Sequence, residues 1–86
     1  MTRRLRLLEK ALRDPAGLRF EELCTLARQL GFRHARSRGS HHIYTREGLI
    51  RPLNFQNFDG RAKPFQVRQL IEAATDLRLL DEGMEG

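Results

Sequence analysis

The sequence predicts a two-layer α+β domain: two helices, a three-stranded antiparallel meander and a closing helix. Three observations carry this. Apolar residues recur at helical spacing in Phe20, Leu23, Cys24, Ala27 and Leu30, and again in Val67, Leu70, Ile71, Ala74 and Leu77. Between those stripes the period drops to two. Turn signals at Arg38-Gly39 and Glu47-Gly48 divide that middle stretch into three segments. A small antiparallel sheet must bury one face, and the helices are the only cover available. Its other face would be polar and open to a ligand.

The first helix is expected over residues 2–13, with Leu5, Leu8 and Leu12 at near-heptad spacing and Ala11 beside them. Asp14-Pro15-Ala16-Gly17 ends it, because proline cannot continue a helix and glycine supplies a turn. The second helix spans 19–30. Glu21 and Glu22 in its first turn and Arg28 near its end complement the helix dipole, and Gly31 is placed to terminate it. Strands follow at Phe32–Ser37, Ser40–Arg46 and Leu49–Asn54. Pro52 lacks a donor for the ladder, so the third strand should be an edge or be bulged there. Residues 55–63 read as a polar loop anchored by Phe55 and Phe58, and Pro64 suits the first position of the closing helix. All 86 residues make one domain, with residues 78–86 an acidic tail expected to fray.

Charge is unevenly spread. Residues 1–46 hold eleven Arg and Lys against four acids, whereas residues 47–86 hold five against seven, giving the net +5. Arg33 to Arg46 contains four arginines, three histidines and no acid. Such a patch is the electrostatic footprint of a phosphate-bearing partner, or else a solvated surface that keeps the chain in solution. No stretch is long and apolar enough to span a bilayer, and Glu9 and Lys10 interrupt what could start as an export signal. Cys24 is alone, which excludes an internal disulfide and fits a reducing compartment, so the cytoplasm is expected.

Chemistry concentrates in Arg36-Ser37-Arg38-Gly39-Ser40-His41-His42-Ile43-Tyr44. Histidine suits general acid or base work near neutral pH. Side chains alternate along a strand, so His41 and His42 should point to opposite faces. If Ile43 faces the helices, His42 and Tyr44 lie on the open face; His41 follows the turn so closely that alternation does not fix it. One packed and one idle histidine is the plain structural alternative. Arg36 and Arg38 offer guanidinium forks to phosphate, and Gly39 and Ser40 allow close backbone approach. Lys63 adds a cation at a helix start, with Arg61 and Arg68 weaker candidates. His34 on the neighbouring strand raises a zinc reading, but no cysteine or carboxylate lies nearby to complete a ligand set, so no metal and no cofactor is expected. Ser40-His41 has no orienting acid for a hydrolase triad, and no phosphate-binding loop is present.

Gly39-Ser40-His41-His42-Ile43-Tyr44, after a helix ending in Gly31-Phe32, resembles the HicA toxins of bacterial type II toxin–antitoxin systems. Leu53-Asn54-Phe55-Gln56 and Ala62-Lys63-Pro64-Phe65-Gln66-Val67-Arg68-Gln69 extend the resemblance over about residues 9–77. It implies a double-stranded-RNA-binding-domain-like fold, in agreement with the two layers read above. It also implies an mRNA-cleaving ribonuclease neutralised by a HicB-like antitoxin. The family's histidine after Gly-Ser maps onto His41, or onto His42 where it stands one residue later. Two departures stand out. Many members carry a second histidine shortly after a proline in the third strand, where this chain has Pro52-Leu53-Asn54-Phe55. The helix over residues 2–13 is also longer than in the shortest members.

The expectation is therefore a metal-independent endoribonuclease, with His41 or His42 as the base and Arg36, Arg38, Gly39, Ser40, Tyr44 and Lys63 contacting RNA. A non-catalytic RNA-binding module, or a protein that only docks an antitoxin, is the alternative from a different class.

Overall fold

A computed structural model describes residues 3–80, with side chains from Arg6 onward. Its elements run α1 (Arg3–Arg13), a 3-10 turn (Pro15–Gly17), α2 (Phe20–Gln29), β1 (Arg33–Arg38), β2 (His41–Thr45), β3 (Leu53–Gln56) and α3 (Pro64–Asp76). The strands form one antiparallel sheet in the order β1-β2-β3. The α+β architecture is the one predicted.

Helix α1 buries Leu8 and Ala11 and half-buries Leu7, while Leu12 is 51% exposed. Its inner stripe is thus turned from the one predicted, and the side chain of Leu5 lies outside the described residues. The Lys10 ammonium donates to both oxygens of Glu22 at 3.0 Å. The same carboxylate accepts the Arg19 N–H at 2.9 Å, satisfying a donor at the start of α2. Glu22 therefore caps one helix and clamps another to it. The Arg19 N–H, then Lys10, hold its carboxyl below its ordinary pKa, against the opposing effect of burial.

Helix α2 buries Phe20, Leu23, Cys24, Leu26 and Ala27, with Leu30 beyond its end, so the predicted stripe is the core face. Gly31 ends the helix at φ +94°. A Cβ there would collide with Nη1 of Arg46, which donates to the Leu30 carbonyl at 3.1 Å. Glycine here supplies the backbone angle and also the room for a guanidinium on the helix's negative end.

Strand β1 is bulged between His34 and Arg36, leaving Ala35 without a partner. Strand β3 differs from the expected Leu49–Asn54. Ile50 is 95% exposed and Pro52 precedes the strand, so its missing N–H costs no ladder bond. Phe55, expected in a loop, is instead a fully buried strand residue. Phe58 anchors nothing, being 59% exposed. Gln66 in the first turn of α3 is buried, and its Oε1 accepts the Gln56 N–H at 2.8 Å, seating α3 at the end of β3. Val67, Leu70, Ala73 and Ala74 continue the core from α3. Leu79 is buried too, so the chain stays packed into the predicted tail; residues 81–86 lie outside the described ones.

Gly31→Ala should lower unfolding stability by about 1–2 kcal/mol, the cost of forcing a side chain into left-handed backbone. Urea denaturation measures this, and an unchanged midpoint would contradict it. Glu22 gives a pH dependence. A carboxyl with its folded pKa depressed stabilises above the unfolded pKa and loses that contribution as pH falls through the folded one. Stability should therefore fall through the acid range of Glu22, and the fall should be shallower in Glu22→Gln.

Candidate functional site

Paired residues of neighbouring strands share a face, so register assigns each side chain. Tyr44 pairs with Leu53 and His42 with Phe55; these four belong to the helix-covered face. Ile43 pairs with Asn54 and His41 with Gln56 on the open face. From β1, His34 and Ser37 fall on the side of Tyr44 and His42 by register, but β1 lies at the sheet's edge and both side chains are exposed. Arg36 and Arg38 fall on the open side, opposite Ile43 and His41.

The expected faces of β2 are therefore reversed. Tyr44 is 2% exposed, its ring 5.4 Å from that of Phe55 and 5.3 Å from that of His34. Its hydroxyl accepts from Arg28 Nη1 at 3.2 Å. A tyrosine can fill the core beneath α2 with its ring while keeping its oxygen paired, and Ile43 is left half-buried on the other side. Burial pushes the Tyr44 phenol up to about 12, with neighbouring Cys24 adding to the rise and Arg28 opposing it. Burial likewise raises the Cys24 thiol. Tyr44 is a core residue and presents no surface to a ligand.

His42 packs inward as well. Its ring lies 4.8 Å from that of Phe20 and 5.6 Å from that of His34. Ser37 Oγ stands 3.0 Å from His42 Nδ1 and 2.7 Å from His34 Nε2. A hydroxyl has one proton to give, so one of the two imidazoles must donate to it. His34 and His42 are thereby occupied with one another through Ser37. Among the described residues no three His, Cys, Asp or Glu side chains gather as a metal site would need.

His41 is exposed on the open face, with Nδ1 3.0 Å from Asn54 Oδ1. The amide oxygen accepts, which puts the proton on Nδ1 and leaves the Nε2 lone pair free. Arg36, Ser37, Arg38, His41, Ile43 and Asn54 line an open hollow of about 670 Å³ that contains no acidic side chain. Gly39, at φ +60°, closes the turn that delivers His41; no atom lies within 4 Å of where its Cβ would be, so backbone angle rather than crowding calls for glycine. The Ser40 carbonyl accepts the Asn57 N–H at 2.8 Å, joining that turn to the loop after β3.

The structure thus brings together Arg36, Arg38 and His41, with Gly39 and Ser40 at their edge. It separates from them His42 and Tyr44, on the covered face, and Lys63, whose ammonium lies 5.4 Å from the centre of the Phe58 ring. Arg61 and Arg68 are exposed outside the hollow. Asn54 was not predicted. The alternation Leu53-Asn54-Phe55-Gln56 contains its signal, since two buried apolar residues leave the intervening polar ones facing out.

The family model described as HicA toxin of bacterial toxin-antitoxin matches residues 20–75, well over half of the sequence. The chain belongs to the HicA toxin family. No curated protein and no solved structure gives a significant match. The HicA match begins at Phe20, so it takes in α2, the whole sheet and nearly all of α3 while leaving α1 outside. As a HicA toxin the chain is one half of a toxin–antitoxin pair, which implies a cognate antitoxin. None of the described helices is long and apolar enough to cross a membrane.

The two histidines should respond differently to removal. His42→Ala gives up an aromatic contact and a hydrogen bond, together about 1–2 kcal/mol of stability. His41→Ala, on an exposed face, should stay within about 0.5 kcal/mol of the parent. Chemical denaturation of both variants decides it, and the reverse order would overturn the assignment of faces.

Proposed function

We propose that this HicA toxin is an endoribonuclease that cleaves mRNA with His41 as its general base. The observation that carries the reading is the His41–Asn54 hydrogen bond on an arginine-lined open face. Asn54 fixes the ring and its tautomer, so that Nε2 can take the proton of a ribose 2′-OH. The 2′-oxygen then bonds to the adjacent phosphorus as the bond to the 5′-oxygen breaks. That leaving oxygen takes a proton from solvent on the open face. The products are a 2′,3′-cyclic phosphate and a 5′-hydroxyl.

Arg36 and Arg38 flank His41 from β1 and offset the charge that builds on the phosphoryl oxygens in the transition state. Gly39 and Ser40 border the approach. In this scheme side chains supply both the base and the phosphate clamp, so no metal takes part. The histidine mapped through the Gly-Ser motif and the histidine the open face presents are the same residue, His41. Of the RNA contacts expected from the sequence, Arg36, Arg38, Gly39 and Ser40 stay with this site. His42 supports the fold. The partner that silences the toxin is taken to be a HicB-like antitoxin, and the mRNA substrate places the reaction in the cytoplasm.

His41→Ala should reduce cleavage by about a hundred- to ten-thousandfold, with 2′,3′-cyclic ends disappearing from mapped transcripts. Full activity in that variant would refute the assignment. Asn54→Ala should lower kcat by a smaller factor with little change in KM, because it orients the base without binding the substrate. An RNA that is bound but never cut by the parent protein would instead favour the non-catalytic module.

A further inference from the structure

Two phenylalanines stay in solvent at the end of the sheet that carries the β1–β2 turn. Phe58 is 59% exposed and Phe65, in the first turn of α3, is 50% exposed. The segment bearing Phe58 is tightly built. Phe58 and Arg61 exchange backbone hydrogen bonds of 3.1 and 2.9 Å, and Asn57 Oδ1 accepts the Gly60 N–H at 2.7 Å. The Phe20 N–H bonds to the Gly60 carbonyl at 3.0 Å, and the Asn57 N–H to that of Ser40 at 2.8 Å. Asp59 and Gly60 both take positive φ to complete the turn. The exposed aromatic ring thus stands on a braced loop, with the Lys63 ammonium over one of its faces, 5.4 Å from its centre, so a base would stack on the other.

The charge of the segment favours a polyanion. Within residues 57–63, Arg61 and Lys63 outnumber the single acid Asp59. Arg19, bridged to Arg61, adds a cation that Glu21 partly offsets at 3.6 Å, and Arg36 and Arg38 stand on the opposite edge strand. Phe58 follows Gln56, the cross-strand partner of His41, by two residues. Its Cα consequently lies within ~13 Å of that of His41. An aromatic face beside a cation is the arrangement by which proteins hold unpaired bases, the ring stacking on the base while the cation takes a phosphate. Paired bases stack on one another and offer no such face.

We propose that Phe58, aided by Lys63, is a stacking platform for an unpaired base of the RNA strand that adjoins the cleavage position. The inference rests on RNA as the substrate of the open face and gives that substrate a form: single-stranded where it is held. Lys63, expected from the sequence to contact RNA but lying outside the hollow, gains its role here.

The full-length protein is titrated with a single-stranded oligoribonucleotide that is 2′-O-methylated throughout and so cannot be cut. Phe58→Ala should weaken binding about five- to a hundredfold, the range measured for loss of one stacked base. Phe58→Trp should retain affinity and report contact directly, because the chain has no other tryptophan; its emission should be quenched as oligomer is added. A duplex of the same sequence should bind independently of Phe58. Parent-like affinity in Phe58→Ala, unquenched Phe58→Trp emission at saturation, or no binding by the parent would each overturn the platform. So would variants that weaken only the antitoxin complex, which would mark a protein-docking surface. His41→Ala separates this from the catalytic reading, since it should bind the oligomer as the parent does while cutting ordinary RNA poorly.

Discussion

Burial of Tyr44 sets the phase of β2, and much of the molecule's chemistry follows from that phase. Successive strand residues alternate sides, so the tyrosine cannot leave the core without carrying every neighbour to the opposite face. Its ring lies against Phe55 and His34, and its hydroxyl is bonded to Arg28 on α2. With Tyr44 held inward, His42 must go in beside Phe20 and His41 must go out. The bulge at Ala35 keeps β1 in step, placing Arg36 and Arg38 on the side of His41 and Ser37 on the side of His42. Two adjacent histidines thereby acquire separate environments: one is packed and bridged to another imidazole, the other is exposed among arginines with an amide oriented toward it.

The helices were legible because their stripes are long and regular. Phe20 to Leu30 and Val67 to Ala74 became core faces much as their spacing implies. Pro64 opened α3, and Gly31 closed α2 for the conformational reason that glycine serves there. Short strands carry less information. Leu49-Ile50-Arg51 resembles strand sequence as readily as Leu53 to Gln56 does, and only packing shows that Phe55 is inside while Ile50 is out. The basic hairpin and its histidines could be picked out from composition, but not their faces. Ile43 and Tyr44 both have a claim on the core, and the choice depends on the space beneath α2 and on the polar partner waiting for the tyrosine oxygen. Asn54 was hidden by the same misplaced strand boundary.

Several single residues join elements that would otherwise be loosely tied. Glu22 serves α1 and α2 together, Gln66 fastens α3 to β3, and Arg46 reaches from the end of β2 to the end of α2. Each bond crosses between elements at their ends, away from the open face. The scaffold is thus secured from the helix side, and the exposed side of the sheet is free of structural duties.

That division bears on how such a toxin would be lost. Arg36, Arg38, His41 and Asn54 are all exposed, and exchanges at such positions usually shift stability by no more than about 0.5 kcal/mol. On the proposed mechanism, a point mutation at one of them would silence the toxin and still leave a folded protein. On that same reading an inert copy would keep its fold and its claim on a cognate antitoxin. Genomes under such selection would accumulate intact decoys alongside the truncated remnants expected when inactivation must proceed through the core.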